Sequence, residues 1–198
     1  MPPGRLAGMD RSGLADLTWV TVGTPLPSGP MRFGVTDRGV AAATYTADGL
    51  GGLPVGGPPC SDGRRAELVT ERVTAYFTAR RRTLDLPLDW RLSSGPHRAV
   101  LQCLQTEVGW GRTITYGELA ARSGVFEELT EPGAAARTVG QMMGANPLSL
   151  LVPCHRVVAA DGLGGFGAGW REGPEVKRWL LTLEGVLQPT LDWDGPEV

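Results

Sequence analysis

The residues Pro153-Cys154-His155-Arg156-Val157 set a thiol, an imidazole and a guanidinium on consecutive positions. A thiol attacks only as its thiolate, and at an ordinary pKa near 8.5 it is roughly 3% ionised at neutral pH. A fall of about 1.5 units would bring it to half ionised, and His155 and Arg156 are the neighbours that could cause it. Successive side chains of an extended strand point to opposite faces, so Cys154 and His155 can share a site only if the chain turns or begins a helix here. On residue type and spacing Cys154 is therefore a reactive-cysteine candidate. The other thiols read differently. Cys60 falls in a Gly- and Pro-rich stretch, Asp48 to Gly63, which reads as a surface loop. Cys103 lies beside the apolar face of a predicted helix, where a small buried hydrophobe is its usual role. Three cysteines cannot all pair and none has zinc-ligand spacing, so neither a disulfide framework nor a metal is expected.

The elements that must position this segment are short and clearly punctuated. Leu17 to Val22, Met31 to Val35 and Val40 to Thr46 are β-rich runs separated by turn residues, predicting a small antiparallel sheet. A helix follows the Gly-rich stretch, with Ala66, Val69, Val73, Tyr76 and Phe77 at helical spacing and Arg80-Arg81-Arg82 at its end, where cations suit the helix dipole. From Ser94 the pattern changes to short helices. Pro96 opens one whose Val100, Leu101, Leu104 and Val108 share a face. Thr115 and Glu118 have capping-box spacing, and Gly124 stops the helix they begin. Pro132 opens the next, Gly133 to Met143, and this pair has the order of a helix-turn-helix. Leu148 to Val152 is a largely apolar run suited to a buried strand or core segment, ended by Pro153. Pro174 and Gly185 bracket a last helix, Glu175 to Glu184, with Val176, Trp179, Leu180 and Leu183 on one face.

The segment from about Gly111 to Gly185 resembles the methylated-DNA–protein-cysteine methyltransferases, proteins that move the alkyl group of O6-alkylguanine in DNA onto their own cysteine. The likeness runs in order through Thr115-Tyr116-Gly117-Glu118-Leu119, Ala135-Ala136-Arg137-Thr138-Val139-Gly140, Asn146-Pro147, Leu151-Val152-Pro153-Cys154-His155-Arg156-Val157-Val158, Gly165-Phe166-Gly167, Lys177-Arg178-Trp179-Leu180-Leu181 and Glu184-Gly185. Thr24-Pro25-Leu26 through Tyr45 resembles the family's N-terminal sheet more weakly. The resemblance implies an α+β chain, with residues 14–93 a ribonuclease H-like sheet domain and residues 94–186 a helical domain with the helix-turn-helix; residues 1–13 and 187–198, carrying Pro, Gly and charge without periodicity, read as loosely held tails. It implies that Cys154 is the nucleophile, that His155 takes its proton through a water polarised by Glu184, and that Asn146 braces the turn before the cysteine segment. The same likeness makes Arg137 the side chain inserted where a flipped base leaves the stack, with Ala135 and Ala136 small enough for close approach to the groove. Tyr116 and Thr115 fall on the DNA side, with Tyr116 also touching the guanine edge. Val157 would offer a carbonyl to the base, and Phe166 and Gly167 would cover it; Arg156 would be structural. The implied partner is double-stranded DNA bearing O6-alkylguanine, met by a monomer without cofactor or metal.

Two rival functions differ in what they require. A lesion sensor that flips the base without accepting the alkyl group would lack the cysteine of the Pro-Cys-His-Arg core, and Cys154 is present. A thiol hydrolase built on Cys154, His155 and Glu184 would need no helix-turn-helix.

With 198 residues, 41% hydrophobic, the chain can bury a core, and its net charge of −2 gives no global field to draw in nucleic acid or an anionic membrane. DNA must be held locally. No apolar run is long enough to span a bilayer or to serve as a secretion signal, so a cytoplasmic protein is expected. One departure from the family pattern bears directly on DNA. Between Gly124 and Pro132 sits Val125-Phe126-Glu127-Glu128-Leu129-Thr130-Glu131, where relatives have a turn of only a few residues. From His97 to Val186 there are eight basic and nine acidic residues, and without these three glutamates the balance would be +2. The insert repels phosphates if it faces the duplex, and is neutral if it folds away on Phe126 and Leu129. Phe166 also stands where a tyrosine is common, and Gly167 must rely on its backbone N–H to reach the guanine O6.

Overall fold

The computed structural model describes residues 16–46, 57–191 and 193–196. Strands β1 (Thr18–Val22), β2 (Met31–Val35) and β3 (Val40–Thr44) form an antiparallel meander in that order. Val20 faces Phe33 and Phe33 faces Ala43, all buried, with an irregularity at Gly34/Val35. Residues 57–60 run along the outer edge of β1, where Trp19 N donates to Pro58 O at 2.9 Å and Cys60 N to Trp19 O at 3.0 Å. Residues 48–56 of the expected surface loop and the expected tail 1–13 lie outside the described residues.

Helix α1 (Gly63–Phe77) is capped by Asp62, whose carboxylate accepts from Arg65 N. It buries Val69, Val73, Tyr76 and Phe77 toward the sheet side of the core. The basic run does not form its last turn. The helix closes at Thr78, Ala79 takes a left-handed conformation (φ 53°), and Arg81 lies beyond it in an ion pair with Asp85. Helix α2 (Gly95–Glu107) carries Pro96 in its first turn and buries Val100, Leu101 and Leu104, with Cys103 half-buried against the same core. Val108 is buried too, but as the residue that ends the helix.

The short strand β4 (Ile114–Thr115) leads into α3 (Tyr116–Ser123), and the capping box is complete. Glu118 N donates to Thr115 Oγ1 at 3.2 Å, and Thr115 N to Glu118 Oε2 at 2.8 Å, an arrangement worth about 1 kcal/mol. Helix α4 (Ala134–Gly144) begins one residue later than the sequence predicts, with Gly133 as its cap. Helices α3 and α4 pack against each other as a helix-turn-helix joined by residues 124–133. Leu148–Val152 is not a strand. Its end is closed by Val152 N donating to Leu148 O at 2.8 Å, with Leu150 in the left-handed region (φ 72°), so the chain doubles back before the cysteine. Strand β5 (Val157–Val158) pairs in parallel with β4, and helix α5 (Gly173–Leu183) follows.

The change of pattern at Ser94 does not mark a gap in packing. One hydrophobic cluster holds Phe33 and Tyr45 of the sheet region, Val73 of α1, and Leu119, Val139 and Leu180 of the later helices. Ala43 N of β3 donates to Pro147 O at 2.7 Å, fastening the sheet to the turn that precedes the cysteine. The expected C-terminal tail, 187–198, is likewise tied down at Trp193 and Asp194. Trp193 packs on Trp179 with ring centroids 5.0 Å apart, and Trp179 Nε1 donates to Asp194 Oδ1 at 3.0 Å. Among the described residues no helix is long and apolar enough to cross a membrane.

Candidate active site and DNA-facing surface

Cys154, His155 and Arg156 form one 3-10 turn, the break from extended chain that a shared thiol and imidazole site requires. The turn is placed from two sides. Ile114 pairs with Val157 and Thr115 with Val158, so the start of α3, and with it Tyr116, is stitched to the end of the cysteine segment. On the other side Asn146 is buried; its Nδ2 donates to Val152 O at 2.9 Å and its Oδ1 accepts from Leu148 N at 3.0 Å. Both amide groups thereby hold the doubled-back segment that delivers Cys154.

Behind the thiol lies a closed polar cluster centred on Glu184, which caps the C-terminus of α5. Its Oε1 is 2.8 Å from His155 Nε2 and accepts from Arg156 Nη2 at 3.0 Å, and its Oε2 accepts from Arg156 Nε at 2.9 Å. Arg156 Nη1 donates to Val108 O at 2.6 Å, and the Tyr76 hydroxyl of α1 donates to Glu184 Oε1. All these side chains are buried. Burial alone would raise the Glu184 carboxyl, but His155 and Arg156 outweigh it and hold it at about 2. Burial lowers His155 below the usual imidazole value despite the carboxylate beside it. The cluster therefore holds one anion, one permanent cation and a neutral imidazole, a balanced arrangement for buried charge. A neutral ring whose Nε2 faces an ionised carboxylate carries its proton there. His155 Nδ1, buried and without a partner among the described residues, is left with its lone pair.

The thiol itself is not pre-ionised. Burial pushes Cys154 up, opposed more weakly by Asn146 and by the positive charge of Lys177. The sequence argument that His155 and Arg156 would lower the thiol fails because Arg156 is consumed by Glu184 and His155 is neutral. Lys177 is fully buried and its ammonium donates to three carbonyls, Val157 O at 2.6 Å, Leu163 O, and Gly165 O at 3.2 Å. Burial lowers it to about 8.

A cavity of about 460 Å³ opens in front of Cys154. One wall is α4, through Ala136, Arg137, Gly140 and Met143; another is the loop Gly164 to Gly167 with Gly169; Tyr116 closes a third side. The Tyr116 hydroxyl donates to Gly165 O at 3.1 Å, and its ring lies 5.9 Å from Lys177 Nζ. Gly164 is left-handed (φ 69°), and a Cβ there would sit 3.1 Å from both Ala159 N and the Tyr116 ring, so the loop reaches this close only as glycine. Phe166 is buried against Tyr45 of the sheet region, ring centroids 5.5 Å apart, and Trp170 stacks on the same tyrosine at 6.5 Å.

Comparison with known proteins agrees with this arrangement. The family model for the DNA-binding domain of 6-O-methylguanine DNA methyltransferase matches residues 96–186. A methylated-DNA–protein-cysteine methyltransferase of Methanopyrus kandleri is 38% identical over 133 residues, 67% of this chain and 90% of that one. The chain belongs to the methylated-DNA–protein-cysteine methyltransferase family. A DNA base-flipping protein of Thermus thermophilus is 40% identical over 165 residues, 82% of this chain and 98% of that one. Among solved structures, Mycobacterium tuberculosis OGT in complex with DNA superposes with a TM-score of 0.69 at 29% identity, covering 85% of this chain and 93% of the other.

For a member of this methyltransferase family, the residues singled out in the sequence fall into three groups. Tyr116, Ala136, Arg137, Cys154, Phe166 and Gly167 line the cavity. His155, Glu184 and Asn146 stand behind the thiol, while Thr115 caps α3 and Ala135 packs against the core. The Val157 side chain is fully buried, and its carbonyl accepts from Lys177 Nζ at 2.6 Å, which occupies one of that oxygen's two lone pairs. Three side chains escaped the sequence reading. In the sequence Tyr76 reads as one position of a helix face, Tyr45 as part of a β-rich run, and Lys177 as one letter of a motif. Lys177 shares its helical face with Leu180, Leu181 and Glu184, and a lysine on a core stripe is itself a signal.

Proposed function

We propose that this protein repairs DNA by taking the alkyl group of O6-alkylguanine onto Cys154, one group per molecule and irreversibly. The observation that carries this reading is the position of the buried thiol. It lies at the cavity floor between a helix-turn-helix and a glycine loop, with a neutral imidazole behind it and a carboxylate held beyond that.

Double-stranded DNA docks on the helix-turn-helix, and the modified guanine turns out of the stack into the cavity, at a cost of a few kcal/mol of lost stacking. Arg137 at the cavity mouth occupies the space the base leaves, and Ala135 and Ala136 allow α4 to approach the groove. Tyr116 borders both the phosphate side and the guanine edge. The thiol proton passes through a bridging water to His155 Nδ1, the nitrogen left without a partner among the described residues. Glu184 stabilises the resulting imidazolium. Sulfur then forms a bond to the alkyl carbon, the carbon–O6 bond breaks with its electron pair remaining on oxygen, and the guanine takes up one proton. Atoms and charge balance: alkylated base and thiol become guanine and thioether. A thiol that stays protonated until the base is seated is protected from adventitious alkylation. Phe166 and Gly167 cover the base, and Lys177 positions the loop that carries them. The reaction requires no cofactor or metal and proceeds on a monomer.

The Thermus relative points to a second reading, in which the base is flipped and nothing is transferred. Wild-type protein compared with a Cys154→Ala variant separates the two, because only the transfer reading has wild type take up the alkyl group. The variant is expected to lose all transfer from a duplex bearing O6-methylguanine while still retarding that duplex on a gel. Transfer that survives in this variant would place the acceptor elsewhere.

A further inference from the structure

In the DNA-free protein the Arg137 side chain does not point freely outward. Its guanidinium folds back along the start of α4, where Nη2 pairs with Glu131 Oε1 and Nη1 lies 3.4 Å from Pro132 O. Gly133 makes room for this: it caps α4 in a left-handed conformation (φ 75°), and a Cβ there would lie 3.2 Å from Arg137 Nη1. The pairing also answers a local electrostatic problem. Arg137 lies in the first turns of a helix whose N-terminus has neither an acidic residue in its first turn nor a capping side chain, and a cation there is unfavourable against the helix dipole. Glu131, just ahead of the cap, supplies the missing negative charge.

Glu131 ends the seven-residue segment 125–131 that lengthens the connection between α3 and α4. Val125 and Phe126 pack against the core, and Leu129 N donates to Phe126 O at 3.0 Å, closing a turn. Leu129 is 47% exposed, so the apolar anchors of the segment are Val125 and Phe126, not the Phe126 and Leu129 pair the sequence suggested. Glu127, Glu128 and Glu131 are all exposed. The insert therefore neither lies wholly away from the cavity nor simply repels phosphates; its last acid reaches the arginine at the cavity mouth.

We infer that Glu131 is a positioning residue for Arg137, holding the guanidinium folded back until a duplex displaces the carboxylate. This rests on the reading of Arg137 as the side chain that enters the stack. Insertion is then an exchange, in which the arginine gives up a carboxylate for DNA, so undamaged duplex is gripped less tightly than a free arginine would grip it. Both partners are exposed, 62% for Arg137 and 73% for Glu131, and exposed pairs alter an equilibrium by roughly two- to fivefold at most.

The experiment uses the full chain with substitutions Glu131→Gln, Glu128→Gln and Arg137→Ala, and the double variants of each glutamine with Arg137→Ala. The probes are a duplex with a single O6-methylguanine and free O6-benzylguanine. Glu128→Gln removes one acid from the same segment without touching the pair, and so measures general repulsion of phosphates. The expected result is that Glu131→Gln tightens duplex binding, and speeds transfer from duplex, about two- to fivefold more than Glu128→Gln does. That excess vanishes in the Arg137→Ala background, and transfer from free O6-benzylguanine is the same for both glutamine variants. A gain from Glu131→Gln that is matched by Glu128→Gln, or that persists in full without Arg137, would overturn the inference. The binding arm reads the pair even if no alkyl group moves, so failure of the transfer reading itself remains separately visible.

Discussion

Replacing Tyr76 with phenylalanine removes a single oxygen from the buried cluster and tests whether the sheet half of the molecule helps hold the proton acceptor. The hydroxyl donates to Glu184 Oε1 from 108 residues away, and the ring is almost wholly buried. A hydrogen bond to a charged group contributes about 1.5–3 kcal/mol. The substitution does not orphan the carboxylate, because His155 Nε2 at 2.8 Å and two Arg156 nitrogens at 2.9 and 3.0 Å remain. The loss should therefore stay below the 3–5 kcal/mol typical of a broken buried ion pair. We expect about 2 kcal/mol, seen as a lower urea midpoint with unchanged slope, and a Tm lower by about 4–8 °C for a chain of this size. Transfer should remain within a few-fold of wild type, since neither Cys154 Sγ nor His155 Nδ1 is disturbed. A stability loss under about 0.5 kcal/mol would refute the cluster geometry. A hundredfold slower transfer with stability intact would move the phenol from support into the chemistry.

Two further outcomes follow from the titrating groups. His155 must be neutral to accept a proton and burial lowers it, so the acid limb of the transfer rate should fall below pH 6.5; a limb at or above that value would mean an imidazolium in the resting protein. For Lys177, folded at about 8 against an ordinary 10.5, the folded state releases its proton first, so this group adds stability as pH rises between those values. Urea midpoints should accordingly rise more between pH 8 and 10.5 in wild type than in Lys177→Met, and that variant should slow transfer from free base and duplex alike. Slowing confined to duplex would contradict its role in shaping the loop.

Much of the site was legible because its logic is local. The capping box at Thr115 and Glu118 requires only residues three apart, and the need for a turn at Cys154 follows from strand geometry. The misreadings occur where residue type leaves the path of the backbone or the partner of a charge open. Arg80 to Arg82 suit a helix end by charge, yet α1 stops at Thr78, and Arg81 turns to Asp85. Leu148 to Val152, suited by composition to a buried strand or a core segment, is the core segment: Asn146 holds its ends together and Leu150 takes a left-handed conformation, so it doubles back. Arg156 appeared able to activate the thiol until Glu184, 28 residues on, was seen to engage its guanidinium. Tyr45 and Tyr76 carry no local mark of their places, the one under Phe166 and Trp170 and the other on Glu184, because a buried tyrosine looks like any other core residue.

The most direct test of the account is the intact mass of the protein after incubation with duplex DNA containing O6-methylguanine, followed by peptide mapping. The account predicts a gain of one methylene per molecule, located on Cys154, with no second turnover. An unchanged mass while the lesion stays bound would contradict it and leave a protein that flips the base without repairing it.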